Sequence, residues 1–325
     1  MICCSAGGAP RGGDRDSGVG GRHEPPAPVG DSSLRIACLL PSATEIVGAL
    51  GLAGSIVAMT HECDLCPDAA GLGALLASGS PPPRVTSTTI NPHAMSQGAI
   101  DDAVKRSVAS GISLYAVDQA SLLAAAPTLV LTQALCAVCA PATSEVDAVC
   151  RDIASQLESQ LGVAGAAVEV LSLQPSDLPT VAESFETVAS ACGPAHAAAG
   201  RALRSQFERQ LAAVGAAVSE AASSQQPPPS VLLLEWLDPV FDAGHWVPGQ
   251  LEAAGCRVAR LGDVREKSTE RDWAAVVAAD PDCVLVGCCG FDAARNRIDA
   301  EALLAGSSAA AASFRSLRAV REGES

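Results

Sequence analysis

Twice in this chain an apolar run, a polar turn, a helix closed by glycine and a second apolar run follow one another. Few folds accept that order. In the first half, LRIACLL (residues 34–40) is short and unbroken, as a strand buried on both faces would be. Pro41 leads into Ser42-Ala43-Thr44-Glu45, a capping-box pattern in which Ser42 caps and Glu45 reaches back. The predicted helix runs through EIVGAL to Gly51, and SIVAMT (55–60) is the next strand. In the second half, residues 231–234, 247–254 and 257–261 repeat the order, with Gly255 closing the helix. Strand–helix–strand is the parallel βαβ unit. The chain therefore predicts an α/β fold with two small parallel-sheet lobes.

Residues 178–222 carry apolar side chains at three- and four-residue intervals. The one strong break is Gly193-Pro194, so the segment reads as one long helix interrupted once, or as two. About 30 helical residues span ~45 Å, longer than a small lobe. That suits a helical spine joining two lobes, with a ligand cleft between them. The expected division is an N-terminal extension (1–33), a first lobe (34–176), a connecting helix (177–222) and a second lobe (223–325). Further helices are expected at 100–109, 119–126, 144–160, 271–279, 298–304 and 313–321. Further strands are expected at 128–132, 168–173 and 283–286. Residues 68–100, rich in Gly, Ser and Pro, read as loop.

The reactive residues fall where these strands end. His61, Glu62, Cys63, Asp64 and Cys66 follow SIVAMT, and Cys136 and Cys139 follow TLVLT. Glu235, Trp236, Asp238, Phe241, His245 and Trp246 follow the strand at 231–234, and Cys288, Cys289, Phe291 and Asp292 follow CVLV. In an open parallel sheet the carboxyl ends of strands point into a ligand crevice. Four segments are thus expected to deliver polar groups to one cleft.

Thirteen cysteines in 325 residues raise the question of metal or redox chemistry. A chain this long and apolar needs no disulfide framework. Cys38, Cys256 and Cys283 sit in apolar strand patterns, where a thiol acts as a small hydrophobe. His61 and Cys63 with Cys136 and Cys139 have the donor types of a Cys₃His zinc site. Thiolates also suit iron–sulfur chemistry, and an imidazole can approach a corrinoid cobalt; spacing does not choose among these. Two of the three tryptophans lie in the 235–246 segment, where a pocket wall for a flat ligand is expected. The amino end of the helix at Ser42 can serve anionic groups, or Ser42 can be only a cap.

A net charge of −15, with 21 Lys and Arg and no basic run, argues against nucleic acid. No stretch approaches the ~20 apolar residues of a membrane span. The first 33 residues have no apolar core of signal-peptide type and carry acids among their arginines. That sets the expected location as cytoplasmic or organellar. No Ser–His–Asp, P-loop or dinucleotide motif is visible.

LLPSATEIVGALGL (39–52), THECD (60–64), LTQALCAVCA (131–140), EWLDPVFDAGHWVP (235–248) and CGFD (289–292) together resemble a known family. It is the cobalamin-binding-protein-like branch of the helical-backbone substrate-binding proteins of iron and cobalamin ABC transporters. The resemblance runs from residue 34 to the C-terminus. It implies a monomer that binds cobalamin or a related metal complex, such as a corrinoid or iron–siderophore, between the lobes. An ABC permease is the implied partner. The implied ligand-binding residues are Ser42, Thr44, Glu45, Glu235, Trp236, Phe241, His245, Trp246, Phe291 and Asp292. The implied metal ligands are His61, Cys63, Cys136, Cys139 and Cys289, with zinc or iron as possible occupants. A metal-dependent enzyme or intracellular metal handler on the same fold is the alternative. Family members continue beyond AVREG (319–323), so a shortened second lobe is also expected.

Overall fold

A computed structural model describes residues 34–65, 72–76, 80–110, 112, 114–133, 168–221, 227–261 and 267–323. The first sheet has four parallel strands: β1 (Ile36–Cys38), β2 (Ile56–Met59), β5 (Leu129–Gln133) and β6 (Glu169–Leu173), in the order β2-β1-β5-β6. Both faces are covered, which is why β1 and β5 read as unbroken apolar runs. Ile36, Cys38, Leu129 and Leu131 point into one core with Ile46 and Val47 of helix α1 (Pro41–Ala49). Ala37 and Val130, one residue out of phase, enter a second core with Leu122 of α4 (Gln119–Ala125).

Helix α1 departs from expectation at its start. Leu40 is the N-cap and Pro41 the first helical residue, with no side-chain cap. Proline's preset φ and missing N–H suit that first position, so the helix begins two residues early and Ser42 lies inside it. The capping box of Ser42 and Glu45 does not form.

The segment expected to be loop contains α2 (Leu72–Leu76) and β3 (Thr86–Thr88). β3 pairs antiparallel with β4 (Tyr115–Val117), a strand too short to announce itself in sequence. Between them runs α3 (Gln97–Ser110).

The spine is a hairpin of two helices, α5 (Leu178–Ala191) and the long α6 (Ala197–Ala221). Gly193 at φ 118° and Pro194 turn the chain between them. α5 opens with a capping box in which Asp177 accepts the Thr180 N–H at 2.9 Å. The helices run antiparallel: Phe185 meets Phe207 edge-on at 5.6 Å, and Arg204 reaches Glu186 at 3.3 Å. A Cβ on Gly200 would stand 2.5 Å from the Ala189 Cβ, so glycine there sets the closeness of the pair. Val188, Ala189 and Cys192, late in α5, complete the first core. At the other end, Leu178 packs on Gly249 and Val218 on Gly255, both belonging to the second lobe.

The second sheet is centred on β7 (Ser230–Leu237). It pairs in parallel with β11 (Cys283–Val286) and β9 (Arg257–Val258). β8 (Val240–Asp242) turns back antiparallel on β7, and β10 (Thr269–Glu270) pairs with β8. The EWLDPVFD text, expected as a polar segment beyond a strand, is thus largely a β-hairpin. Its turn holds the cis Asp238–Pro239 bond. Helices α7 (Val247–Ala253), α8 (Trp273–Ala279), α9 (Ala293–Ala305), α10 (Ala309–Ser316) and α11 (Arg318–Arg321) complete the lobe.

Candidate functional site

The first two clusters follow β2 and β5. His61 begins a 3-10 turn directly after β2 and is partly buried. Its Nδ1 lies 2.7 Å from Thr86 Oγ1, and its backbone N–H donates to the same oxygen at 3.0 Å. Thr86 in turn donates to Thr60 Oγ1 at 2.9 Å. The imidazole is therefore held by its Nδ1 edge. Its Nε2, enclosed by protein, stands 3.2 Å from Glu62 Oε1.

Cys63 is placed quite differently. It is 1% exposed and lies in the first core, with its sulfur 3.0 Å from Thr44 Oγ1. Thr44 is itself fully buried and also bonds the Leu40 carbonyl. Neither side chain opens to solvent. Burial drives the Cys38 thiol of the same cluster far above its ordinary range, despite a hydrogen bond from Thr44. Ser42 and Glu45, on the same helix, are partly exposed. Cys66, Cys136 and Cys139 lie outside the described residues, as does the helix expected at 144–160. Among the described residues no three His, Cys, Asp or Glu side chains are placed to hold a metal ion.

The last two clusters do meet. Trp236, near the end of β7, stacks on Phe291 with ring centroids 5.4 Å apart and planes 29° apart. Phe291 is 7% exposed, and its neighbour Cys288 is buried while Cys289 is exposed. Asp292 caps α9, accepting the Arg295 N–H at 2.8 Å. Phe241 lies across from Trp236 in the β7–β8 register. Ser268 donates to Glu235. His245 adopts a left-handed φ of 53° and lies 5.6 Å from the buried Trp246 ring. Burial is the main cause that lowers its pKa, and the Lys267 charge adds a little.

Residues that carried no sequence signal close over this aromatic pair. α3 belongs to the first lobe by chain order, yet its Ile100 and Val104 pack with Cys288 and Phe291 in one buried cluster. Gln97, 4% exposed, accepts the Leu237 N–H at 2.6 Å. Its amide nitrogen donates to Asp299 at 2.8 Å and to Cys288 Sγ at 3.1 Å. Arg295 stacks 4.2 Å over the Phe291 ring and donates to the carbonyls of Pro92, His93 and Met95. Of these, only Arg295 and Asp299 could be paired from sequence, by their i, i+4 spacing.

Two compact sheets, joined by a helical spine and touching through α3, define the architecture to compare. No family model matches the sequence, and no curated protein is detectably similar to it. Solved structures do match. The periplasmic vitamin B12 binding protein BtuF of Vibrio cholerae superposes with a TM-score of 0.52 at 18% identity, over 89% of this chain and 84% of that one. The periplasmic heme binding protein HutB of Vibrio cholerae gives 0.55 at 14%, over 89% and 87%. A possible iron-binding, periplasmic solute-binding protein from Staphylococcus epidermidis gives 0.55 at 13%, over 89% and 86%. The chain has the fold of the iron, heme and vitamin B12 type of ABC transporter substrate-binding protein. This substrate-binding-protein fold is the one its motifs resemble. The cytoplasmic or organellar location expected from the first 33 residues is corrected by the same finding. These fold relatives are periplasmic by description. No helix among the described residues is long and apolar enough to cross a membrane.

Proposed function

We propose that this protein binds a large, flat metal complex of the tetrapyrrole class, cobalamin or heme, between its two sheets. It then presents that ligand to an ABC permease outside the cytoplasm. The observation that carries the reading is the stacked Trp236–Phe291 pair at the carboxyl end of β7 and beyond β11. An aromatic face offers a planar ligand dispersion and offset stacking without demanding particular hydrogen bonds. The carboxyl ends of parallel strands are where such sheets hold ligands. The fold relatives described as binding vitamin B12 and heme support the ligand class.

His61 is the residue we assign to the metal. Its Nδ1 contact with Thr86 fixes the ring, leaving Nε2 as the ligating nitrogen once Glu62 moves aside. Glu235 and Asp238 are placed beside the aromatic pair in sequence, where they suit polar substituents of the ring.

The test is titration of the whole chain with cyanocobalamin and, separately, with hemin, followed by calorimetry and visible absorbance. One of the two is expected to bind at micromolar concentration or tighter. His61→Ala should weaken it about tenfold or more, a loss of ~1.4 kcal/mol, and alter the ligand's spectrum. No heat and no spectral change with either ligand at high micromolar concentration overturns the reading.

A further inference from the structure

We infer that α3 and the turn before it form a clamp that locks the two lobes together and shuts the aromatic pair away. The contacts come from one short stretch of the first lobe and three separate elements of the second. Gln97 uses its carbonyl for the Leu237 N–H and its amide for Asp299 and Cys288, so both ends of the group are satisfied only when the lobes touch. Arg295 binds three carbonyls of one short turn, those of Pro92, His93 and Met95, while its plane covers Phe291. Lys105 reaches Glu270 at 3.1 Å at the far side of the same helix.

Close approach adds a steric condition. A Cβ on Gly98 would stand 2.8 Å from Asp238 Oδ2, so a side chain there must push the Asp238 carboxylate aside at the β7–β8 turn. Asp238 in turn places a carboxylate beside the first turn of α3, where the helix presents its positive end.

The clamp joins a polar centre to an apolar cluster in which Ile100 and Val104 of α3 pack with Cys288 and Phe291, and Met95 and Trp236 add to it. Separated lobes return Gln97 and Arg295 to water, where both are readily hydrated. In the clamped state Ile100 and Val104 of α3 pack in one cluster with Phe291 and Trp236, which leaves the aromatic pair enclosed. Opening of α3 is then the step that admits the ligand, a consequence that rests on the binding reading above; the clamp itself rests on the lobe contacts alone.

Hydrogen exchange read by mass spectrometry tests it on the full chain, with Gln97→Ala, Arg295→Ala and Gly98→Val. Each variant should raise exchange about tenfold or more in peptides covering residues 96–104, 235–238 and 288–296. Peptides covering 36–38 and 129–133, in the first core, should stay at the wild-type rate. Unchanged exchange in the three clamp peptides of every variant overturns the clamp. So does a rise that is equal in clamp and core peptides, since that reports global loosening. If neither cyanocobalamin nor hemin binds, the exchange result still decides the clamp.

Discussion

Thr44 Oγ1 lies 3.0 Å from Cys63 Sγ inside the first core, two residues that sequence motifs place in a ligand site. The contact explains why a thiol beside His61 is turned inward. A hydroxyl buried at the start of α1 needs a partner, and the sulfur supplies one without bringing in water. This yields a prediction on reactivity. Burial pushes the thiols of Cys192 and Cys288 up to about 12, and Cys38 and Cys63 are at most 1% exposed. So high a pKa leaves very little thiolate at pH 8. Iodoacetamide on the folded protein, mapped by mass spectrometry, should label exposed Cys289 and spare these four. Urea should make all five react. Rapid labelling of Cys63 in the folded state would contradict its placement.

The helical hairpin offers a packing test. Gly200→Val puts a Cβ bearing two methyl groups where the Ala189 Cβ and the Phe185 carbonyl already stand within 2.5–3.0 Å of the first added atom. Overpacking of this kind costs ~1–3 kcal/mol. Urea unfolding should show a lower midpoint with an unchanged slope. A midpoint equal to wild type would mean that α5 and α6 are not so closely paired.

His245 predicts a pH dependence. Burial and Lys267 hold its pKa below the ordinary 6.5 in the folded protein. Below about 6.5 the unfolded chain therefore binds more protons than the folded one, and stability falls as pH falls. The loss should begin near pH 6.5 on acidification and continue until the lowered folded pKa is passed. His245→Asn keeps a residue that tolerates the left-handed φ of 53° and removes the titration. Between pH 7 and pH 5 the wild-type urea midpoint should fall relative to that of the variant. Parallel pH profiles would show that His245 does not titrate in this way.

Asp282 predicts a second window, at lower pH. It accepts the Ser230 N–H at 2.7 Å and an Arg318 N–H at 2.6 Å, tying α11 to the start of β7. Those bonds depress its pKa to about 2, the backbone bond from Ser230 contributing most. A depressed carboxylate stabilises the fold above its unfolded value of 3.8, and the gain disappears as pH falls towards about 2. Asp282→Asn should lower the pH 7 urea midpoint and flatten the acid profile between pH 4 and 2. Circular dichroism during acid titration reads this directly.

Unbroken apolar runs were legible in the sequence wherever one segment meets a continuous core, whereas the cap read at Ser42 does not form. β1, β2 and β5 lie where apolar runs predict them, because strands buried on both faces need unbroken hydrophobicity. The Gly193-Pro194 break was legible too, though not that the two helices fold back on each other. That choice came from Gly200, whose missing side chain allows contact with Ala189. β3, β4 and β8 were hidden, since three residues carry no reliable period and their pairing partners are remote or across a turn.

The sequence by itself determined a two-lobed α/β chain with an aromatic cluster at the end of one central strand. It also placed His61 at the end of another. Local patterning suffices for this, because strand burial and helix periodicity are read over a few neighbours. Only the tertiary structure decided which reactive residues face outward. It buried Cys63 and Thr44 in the core, made Asp292 a cap, and set Gln97 against Leu237 across 140 positions. The physical reason is that a buried polar group must be satisfied by whatever the fold brings within hydrogen-bonding reach, and no local pattern specifies that neighbour.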